Sequence, residues 1–232
     1  MAKRRVEAVI FDMDGLMIDS EPLWHLAEQK AFAAAGITLS EEDCLETTGL
    51  RIEEVVAHHA RNKPWGDTPP QAEVVTQIVS TMIELVKSQP KPMKGLEAAL
   101  QFVESLQLGV PLAVASSSHM ALIEASLEGL GVRDRFAHLF SAENEEYGKP
   151  HPGVYISAAK ALGVDPTRCL ALEDSLNGVL AAKAARMACI AVPEAHNQAD
   201  PRFAVADRQL ASLEELNAEL WGELVEAPQS LL

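Results

Sequence analysis

Two carboxylates stand close together near the start of the chain, in the sequence DMDG that begins at Asp12. They directly follow an apolar stretch, residues 6–11, which predicts a buried strand. Side chains two positions apart in an extended chain project to the same side, so Asp12 and Asp14 could both reach one bound group. Carboxylates this close repel each other unless a cation lies between them, and Mg²⁺ is an oxygen-preferring cation that fits. The pattern is typical of a phosphoryl-transfer site.

The sequence Asp-x-Asp-Gly is also ordinary turn chemistry after a strand, so DMDG alone leaves function and turn equally open. Other polar residues also follow apolar runs that predict strands. They are Ser116, Ser117 and Ser118 after LAVA, Lys149 in GKPHP, and Glu173 and Asp174 after LAL. Serine hydroxyls and N–H groups at a helix start can hold an oxyanion. Each residue alone has a simpler explanation, such as helix capping by Ser118 or a solvated lysine, but their occurrence together favours one site.

Composition excludes several classes of protein. The 232 residues are 48% hydrophobic, yet the apolar runs are short and interrupted, so we predict no transmembrane segment. The basic N-terminal residues are not followed by a secretory signal, and we therefore expect a cytoplasmic protein. The three cysteines are far apart and lack CxxC spacing, which disfavours a disulfide framework or a zinc site.

The charge balance points away from polyanionic partners. With 19 basic and 34 acidic residues the formal net charge is −15, which disfavours binding to nucleic acid or to an anionic membrane surface. An anionic substrate would need a local positive site, built from a metal ion, Lys149, Arg51 and backbone N–H groups. We expect a monomer that acts on a small molecule.

Short β-rich runs alternate with amphipathic helical patterns along most of the chain. The predicted strands are residues 6–11, 110–115, 169–172 and 188–192, with a weaker one near 139–140. This alternation predicts an α/β fold with a Rossmann-like, mostly parallel sheet flanked by helices. In such sheets the ligand crevice lies at the carboxyl ends of the strands, where the polar segments fall.

The alternation stops between residues 18 and 92, where several helical patterns occur without a convincing strand. We therefore predict a catalytic core formed by residues 1–17 and 93–232 and an inserted helical cap domain of residues 18–92. Ser20 is expected to cap the first inserted helix. The two connections, near residues 17–20 and 90–94, are candidate hinges for a lid.

The four polar segments occur in the order DMDG, VASSS, GKPHP and LEDSLNG. This set resembles the haloacid dehalogenase-like hydrolase superfamily across nearly the whole chain, and the helical insertion resembles that family's first type of cap. DMDGLMIDSEPLW, GLR and ALEDSLNG look closest to the sugar-phosphate phosphatase and β-phosphoglucomutase branch, and within it to bacterial hexitol and 2-deoxyglucose-6-phosphate phosphatases. The resemblance implies a Mg²⁺-dependent phosphomonoesterase acting on hexose 6-phosphates, 2-deoxyglucose 6-phosphate or hexitol phosphates.

The resemblance also implies roles for the acidic residues. Asp12 matches the nucleophile, which would attack phosphorus and form an aspartyl-phosphate. Asp14 matches the general acid and base, which would protonate the leaving sugar oxygen and then accept a proton from the hydrolytic water. Mg²⁺ would be held by Asp12, the backbone oxygen of Asp14 and Asp174. Glu173 would be either a further ligand or a partner of the ligands.

Phosphate-binding positions of the family match Ser116 and Lys149, which would neutralise charge in the transition state. Some relatives carry an asparagine where this chain has Ser117, whose N–H could still serve. Asn177 and Gly178 match a loop-to-helix turn, and we expect them to be structural.

In the insertion, the sequence TGLR ending at Arg51 resembles a cap loop that reaches into the site. Arg51 could hydrogen-bond substrate hydroxyls or a second anion, or it could simply begin a helix at the surface. Trp24 could stack on a sugar face, although packing within the cap is the expected role of an apolar helical residue. His58 and His59 are adjacent, about 100° apart around a helix, so we expect surface residues and not a metal clamp.

Alternatives to a phosphatase stay open. A β-phosphoglucomutase-like isomerase would return the phosphoryl group to another hydroxyl, but such mutases carry a histidine where Trp24 aligns, which favours hydrolysis. A dehalogenase is disfavoured because that branch lacks the second carboxylate, here Asp14. A non-enzymatic binding protein on the same fold is disfavoured because all four polar segments are present. The chain has no GxxxxGK loop, and a nucleotide cofactor is not implied.

Overall fold

The computed structural model describes residues 5–106 and 112–225. Its centre is a six-stranded, fully parallel sheet with the strand order β3-β2-β1-β4-β5-β6. The strands are β1 Ala8–Phe11, β2 Leu112–Ser116, β3 Phe136–Ser141, β4 Cys169–Glu173, β5 Ala188–Ala191 and β6 Arg208–Gln209. The prediction of an α/β fold with a mostly parallel sheet is confirmed.

Each inner strand is apolar because helices cover both faces of the sheet. In β1, Val9 and Phe11 belong to one hydrophobic cluster, whereas Ala8 and Ile10 belong to the cluster on the opposite face. The Phe11 ring meets the Phe136 ring edge-on, at a centroid distance of 5.8 Å. The apolar runs that predicted strands are therefore continuous because both of their faces are buried.

Helices connect and flank the strands. Described helices are α1 Glu21–Ala34, α2 Glu41–Leu45, α3 Ile52–Asn62, α4 Gln71–Ser88, α5 Leu96–Ser105, α6 Met120–Gly129, α7 Gly153–Leu162, α8 Leu176–Ala184 and α9 Ala218–Leu224. Within the described ranges, none of them combines the length and the apolar character that a membrane span requires.

Strand predictions differ from the structure in small ways. Residues 110 and 111 lie outside the described residues, and β2 continues to Ser116. The weak prediction at residues 139–140 falls within β3. Sequence analysis missed β6, because two residues are too short to show a period.

Helices α1 to α4 lie between β1 and α5, in the segment for which an insertion was predicted. Helix α1 packs against α4, whose buried stripe is Val74, Val75, Ile78, Val79, Met82 and Val86. The two connections to the rest of the chain run side by side: Asp19 donates its N–H to the Lys91 carbonyl, and Met93 donates to that of Met17, each at 2.9 Å. The chain thus leaves and re-enters the sheet region through one narrow neck.

Two expectations for this helical segment are wrong. Ser20 precedes α1 but makes no capping hydrogen bond, because its hydroxyl donates elsewhere. His59 is buried, not exposed, and meets the Phe32 ring edge-on at 5.2 Å, while His58 stays partly exposed. The i, i+4 rule excluded a metal clamp, but it could not say which of two adjacent histidines faces the core.

Two glycines in the left-handed region differ in their surroundings, and this difference predicts unequal costs of substitution. Gly95 has φ +86°, and a Cβ there would lie 2.3 Å from the backbone nitrogen of Glu214. Gly36 has φ +79° and nothing within 4 Å. We expect Gly36→Ala to lower the free energy of unfolding by about 1–2 kcal/mol through backbone strain alone. Gly95→Ala should lose about 1–3 kcal/mol more, because the chain near Glu214 must also move.

Urea unfolding of both variants beside the wild-type protein measures this difference. Equal losses of stability in the two variants would contradict the packing between the start of α5 and Glu214.

Candidate active site

Three adjacent strands deliver polar residues to one edge of the sheet. Asp12 follows β1, Ser116 ends β2 and Glu173 ends β4, and the sheet order places β1 between β2 and β4. Parallel strands have their carboxyl ends at the same edge, so these residues must converge. Asp174 follows Glu173 at the same edge, and the side chain of Lys149 reaches it from the loop between β3 and α7.

Lys149 links two of the carboxylates. Its Nζ donates to Asp12 Oδ1 at 2.7 Å, to Glu173 Oε1 at 2.6 Å and to the carbonyl of Ala115 at 3.0 Å. Burial lowers the pKa of this ammonium group, but Asp12 and Glu173 outweigh the burial and hold it above its ordinary value. Lys149 therefore remains charged although it is only 3% exposed.

Glu173 is held beneath the start of α8. The Tyr155 hydroxyl donates to Glu173 Oε1 at 2.5 Å. Burial and the negative charge of Glu173 raise the pKa of Tyr155 well above its ordinary value, so the phenol keeps the proton that it donates. A Cβ at Gly178 would lie 2.0 Å from the Glu173 carboxylate. Gly178 is thus required by this close approach, which gives a specific reason for the structural role that was expected of it.

Asp14 lies in the turn after β1 and is fixed by donors from two directions. Its Oδ1 accepts from the Ser20 hydroxyl at 2.7 Å and from the Trp24 indole N–H at 3.0 Å. Its Oδ2 accepts from the Ser118 hydroxyl at 2.7 Å and, more weakly, from that of Ser116 at 3.4 Å. An indole N–H can only donate, so Asp14 Oδ1 is an acceptor in this arrangement.

These contacts correct two expectations. Ser118 does not cap the following helix, which begins after His119 without a side-chain cap; it holds Asp14 instead. Trp24 packs against the core, as expected, but its indole also reaches the candidate site. Helical spacing alone could not reveal this contact, because it depends on how α1 is placed over the turn.

The carboxylates at this edge fit a divalent cation. One oxygen from each of Asp12, Glu173 and Asp174 lies within 4.8 Å of the others. Asp12 and Asp174 line the neighbouring cavity, whereas Glu173 is fully buried and engaged by Lys149 and Tyr155. A Cβ at Gly15 would lie 2.2 Å from Asp174 Oδ2, so that glycine leaves space for the carboxylate. This geometry favours Asp12 and Asp174 as direct ligands and Glu173 as their support.

Crowding of these carboxylates changes their titration. Burial, followed by the charge of Glu173, raises the pKa of Asp12 to about 7, although Lys149 opposes the shift. Burial and the charges of Asp12 and Glu173 raise the pKa of Asp174 as well. A bound cation would reverse both shifts by favouring the ionised forms.

A cavity opens beside these groups, between the sheet edge and the helical segment. From the sheet side it is lined by Asp12, Asp14, Gly15, Ser117, Ser118, Lys149, Asp174, Ser175 and Glu194. From the helical segment it is lined by Ser20, Glu21, Trp24, His25, Glu28, Cys44, Thr47, Thr48, Gly49, Leu50, Ile52 and Val55. A ligand held at Asp12 would therefore meet residues of both parts of the chain.

Arg51 does not line this cavity in the described conformation. Its guanidinium donates to the carbonyls of Ala142 and Glu145, at 3.3 and 3.1 Å, and to Glu54 Oε1 at 3.0 Å. It joins the start of α3 to the loop after β3. A contact of Arg51 with substrate stays a prediction.

Sequence analysis overlooked three polar residues of this region. Tyr155 lies two residues after the start of α7, and no pattern announced its bond to Glu173. Glu194 lines the cavity, and burial together with a hydrogen bond to Glu21 raises its pKa to about 8. Glu28 lies one helical turn beyond Trp24, and this i, i+4 spacing was the one available signal.

Glu28 should make the stability of the protein depend on pH. Burial raises its pKa from 4.5 to about 7. Between these values the folded chain binds more protons than the unfolded chain, so this residue makes the folded state less stable as pH rises. Gln cannot titrate, so the difference between the free energies of unfolding, Glu28→Gln minus wild type, should rise with pH over this interval. Its slope should be at most about 1.4 kcal/mol per pH unit.

Urea unfolding in EDTA at pH 5, 6, 7 and 8 tests this expectation. Other titrating groups cancel in the difference between the two proteins, so parallel pH profiles would show that Glu28 is not buried in this way.

Comparison with known proteins agrees with the fold. The family model of haloacid dehalogenase-like hydrolases matches residues 6–186. The chain is 46% identical over 217 residues to hexitol phosphatase B of Escherichia coli, covering 93% of this chain and 96% of that protein.

Solved structures share the architecture. A variant of CbbY from Rhodobacter sphaeroides in complex with xylulose-(1,5)bisphosphate is 30% identical, with a TM-score of 0.83 over 91% of this chain and 96% of that one. β-Phosphoglucomutase from Clostridium difficile, at 24% identity, shares the fold with a TM-score of 0.82 over 94% of this chain and 96% of that one. The extent of these matches, together with the convergence of the four polar segments on one cavity, shows that this chain belongs to the haloacid dehalogenase-like hydrolases.

Proposed function

We propose that this protein is a Mg²⁺-dependent phosphomonoesterase that hydrolyses small sugar phosphates or sugar-alcohol phosphates through an aspartyl-phosphate. The observation that carries the proposal is the placement of Asp12 and Asp14 on one cavity, with Lys149 Nζ 2.7 Å from Asp12 Oδ1. A nucleophile, a proton-transferring group and a fixed positive charge are what phosphoryl transfer requires. The name of the hexitol phosphatase relative and the sugar bisphosphate bound by the CbbY variant support a sugar-phosphate substrate.

In the proposed reaction, a carboxylate oxygen of Asp12 attacks phosphorus, and the bond from phosphorus to the sugar oxygen breaks. Asp14 carries a proton at this stage and gives it to the leaving oxygen, so the sugar departs as an alcohol. Water then attacks the aspartyl-phosphate, Asp14 takes a proton from it, and phosphate leaves with Asp12 restored as a carboxylate. The hydroxyls of Ser20 and Ser118 can rotate, which allows Asp14 to pass between its two protonation states.

The chain's own donors would hold the transferring phosphoryl group. Lys149 offers a fixed positive charge beside Asp12, and the backbone N–H groups after β2, including that of Ser117, offer neutral donors. Ser116 is fully buried and does not line the cavity, so we assign its hydroxyl to the support of Ser118 and Asp14, with phosphate contact as the alternative.

The proposed metal site comprises Asp12, Asp174 and the backbone oxygen of Asp14. Mg²⁺ bound there would neutralise phosphate oxygens and help to orient them. Glu173 would act on this site by holding Lys149, and Tyr155 and Gly178 would fix Glu173 in turn.

We also propose that residues 18–92 act as a cap over a core formed by residues 1–17 and 93–232. The narrow neck between these parts supports the division. Contacts across the cavity rim support a closed state: Arg51 reaches the carbonyls of Ala142 and Glu145, and the carboxylate of Glu53 lies 2.6 Å from His119 Nε2. Closure would exclude water from the phosphoryl group and would let the cap select the substrate.

Hydrolysis is favoured over isomerisation by Trp24. Where a mutase of this branch carries a histidine, the Trp24 indole N–H donates to Asp14. An indole nitrogen can only donate and keeps its proton at neutral pH, so this residue cannot act as an acid or a base as a histidine can.

Asp12→Asn should abolish turnover, because a neutral amide is a poor nucleophile at phosphorus. We expect kcat for phosphate release to fall by about 10³-fold or more, while circular dichroism shows an unchanged fold. Asp67→Asn, an exposed acid in a loop, is the matched control and should keep wild-type activity. Substantial remaining turnover in purified Asp12→Asn protein would eliminate Asp12 as the nucleophile.

Substrate class and metal dependence can be tested together. Phosphate release from hexose, 2-deoxyhexose, hexitol and pentose phosphates should require Mg²⁺ and should stop in EDTA. Conversion of β-glucose 1-phosphate to glucose 6-phosphate, followed in parallel, should be absent. Isomerisation without phosphate release would support the mutase instead. The absence of both reactions would indicate a binding protein.

A further inference from the structure

Glu28 is a buried acid in the wall of the cavity, and the proposed mechanism gives it no role. It is 6% exposed, lines the cavity and lies on α1, one turn after Trp24. One of its carboxylate oxygens, Oε2, is sealed from solvent and has no hydrogen-bond partner within the described residues. Buried carboxylate oxygens are normally satisfied, and Glu28 lines the cavity, so a bound ligand could supply the missing donor.

Among the described residues, one weak donor and no lysine or arginine influence the titration of Glu28. The Cys44 thiol donates to the carboxylate, and burial together with this bond accounts for its titration, with no lysine or arginine contributing. Cys44 has a raised pKa and therefore remains a thiol. Within the described residues Glu28 thus forms no ion pair, and its Oε2 lacks a hydrogen-bond donor.

The position of Glu28 relative to Asp14 defines what it could contact. Trp24 touches Asp14 from the first turn of α1, and Glu28 lies four residues further, about 6 Å along the helix axis. In the proposed reaction Asp14 faces the ester oxygen of the substrate. Glu28 would then face the carbon chain, a few atoms beyond the phosphate, where a sugar or sugar alcohol carries hydroxyl groups.

On this basis we propose that Glu28 determines substrate specificity by accepting hydrogen bonds from hydroxyl groups of the substrate's carbon chain and by repelling chains that carry a second anion. The preferred class would be monophosphates of neutral polyhydroxylated chains. This inference rests on the proposed phosphatase function of the same site. Hydroxyls are donors that a carboxylate can use, whereas a carboxylate or phosphate at the far end of the chain would face an unneutralised negative charge.

The test compares three esters: sorbitol 6-phosphate, 6-phosphogluconate, which carries a carboxylate on its chain, and p-nitrophenyl phosphate, which has no chain hydroxyls. Each is assayed at pH 8 with Mg²⁺ for the wild-type protein, Glu28→Gln and Glu28→Ala. Glu73→Gln, an exposed acid on α4, is the matched control.

We expect kcat/KM for sorbitol 6-phosphate to fall by about tenfold or more in Glu28→Ala, the effect of losing a hydrogen bond to a charged group. The value for p-nitrophenyl phosphate should stay within about twofold of wild type in both variants. In Glu28→Gln the ratio of kcat/KM for 6-phosphogluconate to that for sorbitol 6-phosphate should rise by about tenfold, because the repulsion is removed while an acceptor oxygen remains. The control should match the wild-type protein on all three esters.

An equal loss on all three esters would overturn the proposal, because it would indicate a structural role. Unchanged ratios between the esters in both variants would overturn it too. If Glu28→Ala fails to fold, the ratio in Glu28→Gln decides. If the wild-type protein releases no phosphate from any ester, the proposed function fails and this inference falls with it, whereas activity with unchanged ratios removes only the role of Glu28.

Discussion

The site is organised by an imbalance of buried charge. Lys149 supplies one positive charge at the sheet edge, while Asp12 and Glu173, which it contacts at 2.7 and 2.6 Å, supply two negative ones, and Asp174 adds a third beside them. Buried charges are costly unless paired, so this arrangement is incomplete by itself. The excess of negative charge and the burial raise the pKa values of both Asp12 and Asp174, so these groups bind protons more readily. A divalent cation would complete the balance and leave Asp12 ionised, the state in which a carboxylate is a nucleophile.

Much of the surrounding structure supports this cluster of charged residues. The parallel sheet brings Asp12, Ser116 and Glu173 to one edge, and the first turn of α8 has a glycine at residue 178, where any side chain would collide with Glu173. The buried Tyr155 donates to the same carboxylate. These residues need not touch a substrate to matter, because each limits where Lys149 and Asp12 can lie.

The helical segment is coupled to the site through Asp14. Ser20 and Trp24 hold one oxygen of this carboxylate from the helical segment, and Ser118 holds the other from the loop after β2. Movement of α1 would break two of these three strong hydrogen bonds, so closure of the proposed cap and placement of the proposed proton-transferring group are linked. This coupling explains how a helical insertion could influence both the chemistry and the choice of substrate.

The sequence was informative wherever the fold repeats a general rule. Buried parallel strands appear as apolar runs, and the polar residues after them had to meet at one edge. The proximity of Asp12, Lys149 and Asp174 could therefore be predicted before their geometry was known. Residues whose position depends on packing between elements were not predictable: Ser118 was expected to cap a helix, His59 to be exposed, and Tyr155 and Glu28 attracted no attention. Their neighbours are set by how helices lie over the sheet, which spacing along one helix does not encode.

The central claim is that Asp12 becomes phosphorylated during turnover. The most direct test is rapid mixing of the Mg²⁺-loaded protein with its best sugar-phosphate substrate, followed by an acid quench and mass spectrometry of the peptides. The account predicts a phosphoryl group on Asp12 that appears within one turnover and decays as substrate is consumed. Phosphate release without any phosphorylated Asp12, or with the phosphoryl group on another residue, would contradict it.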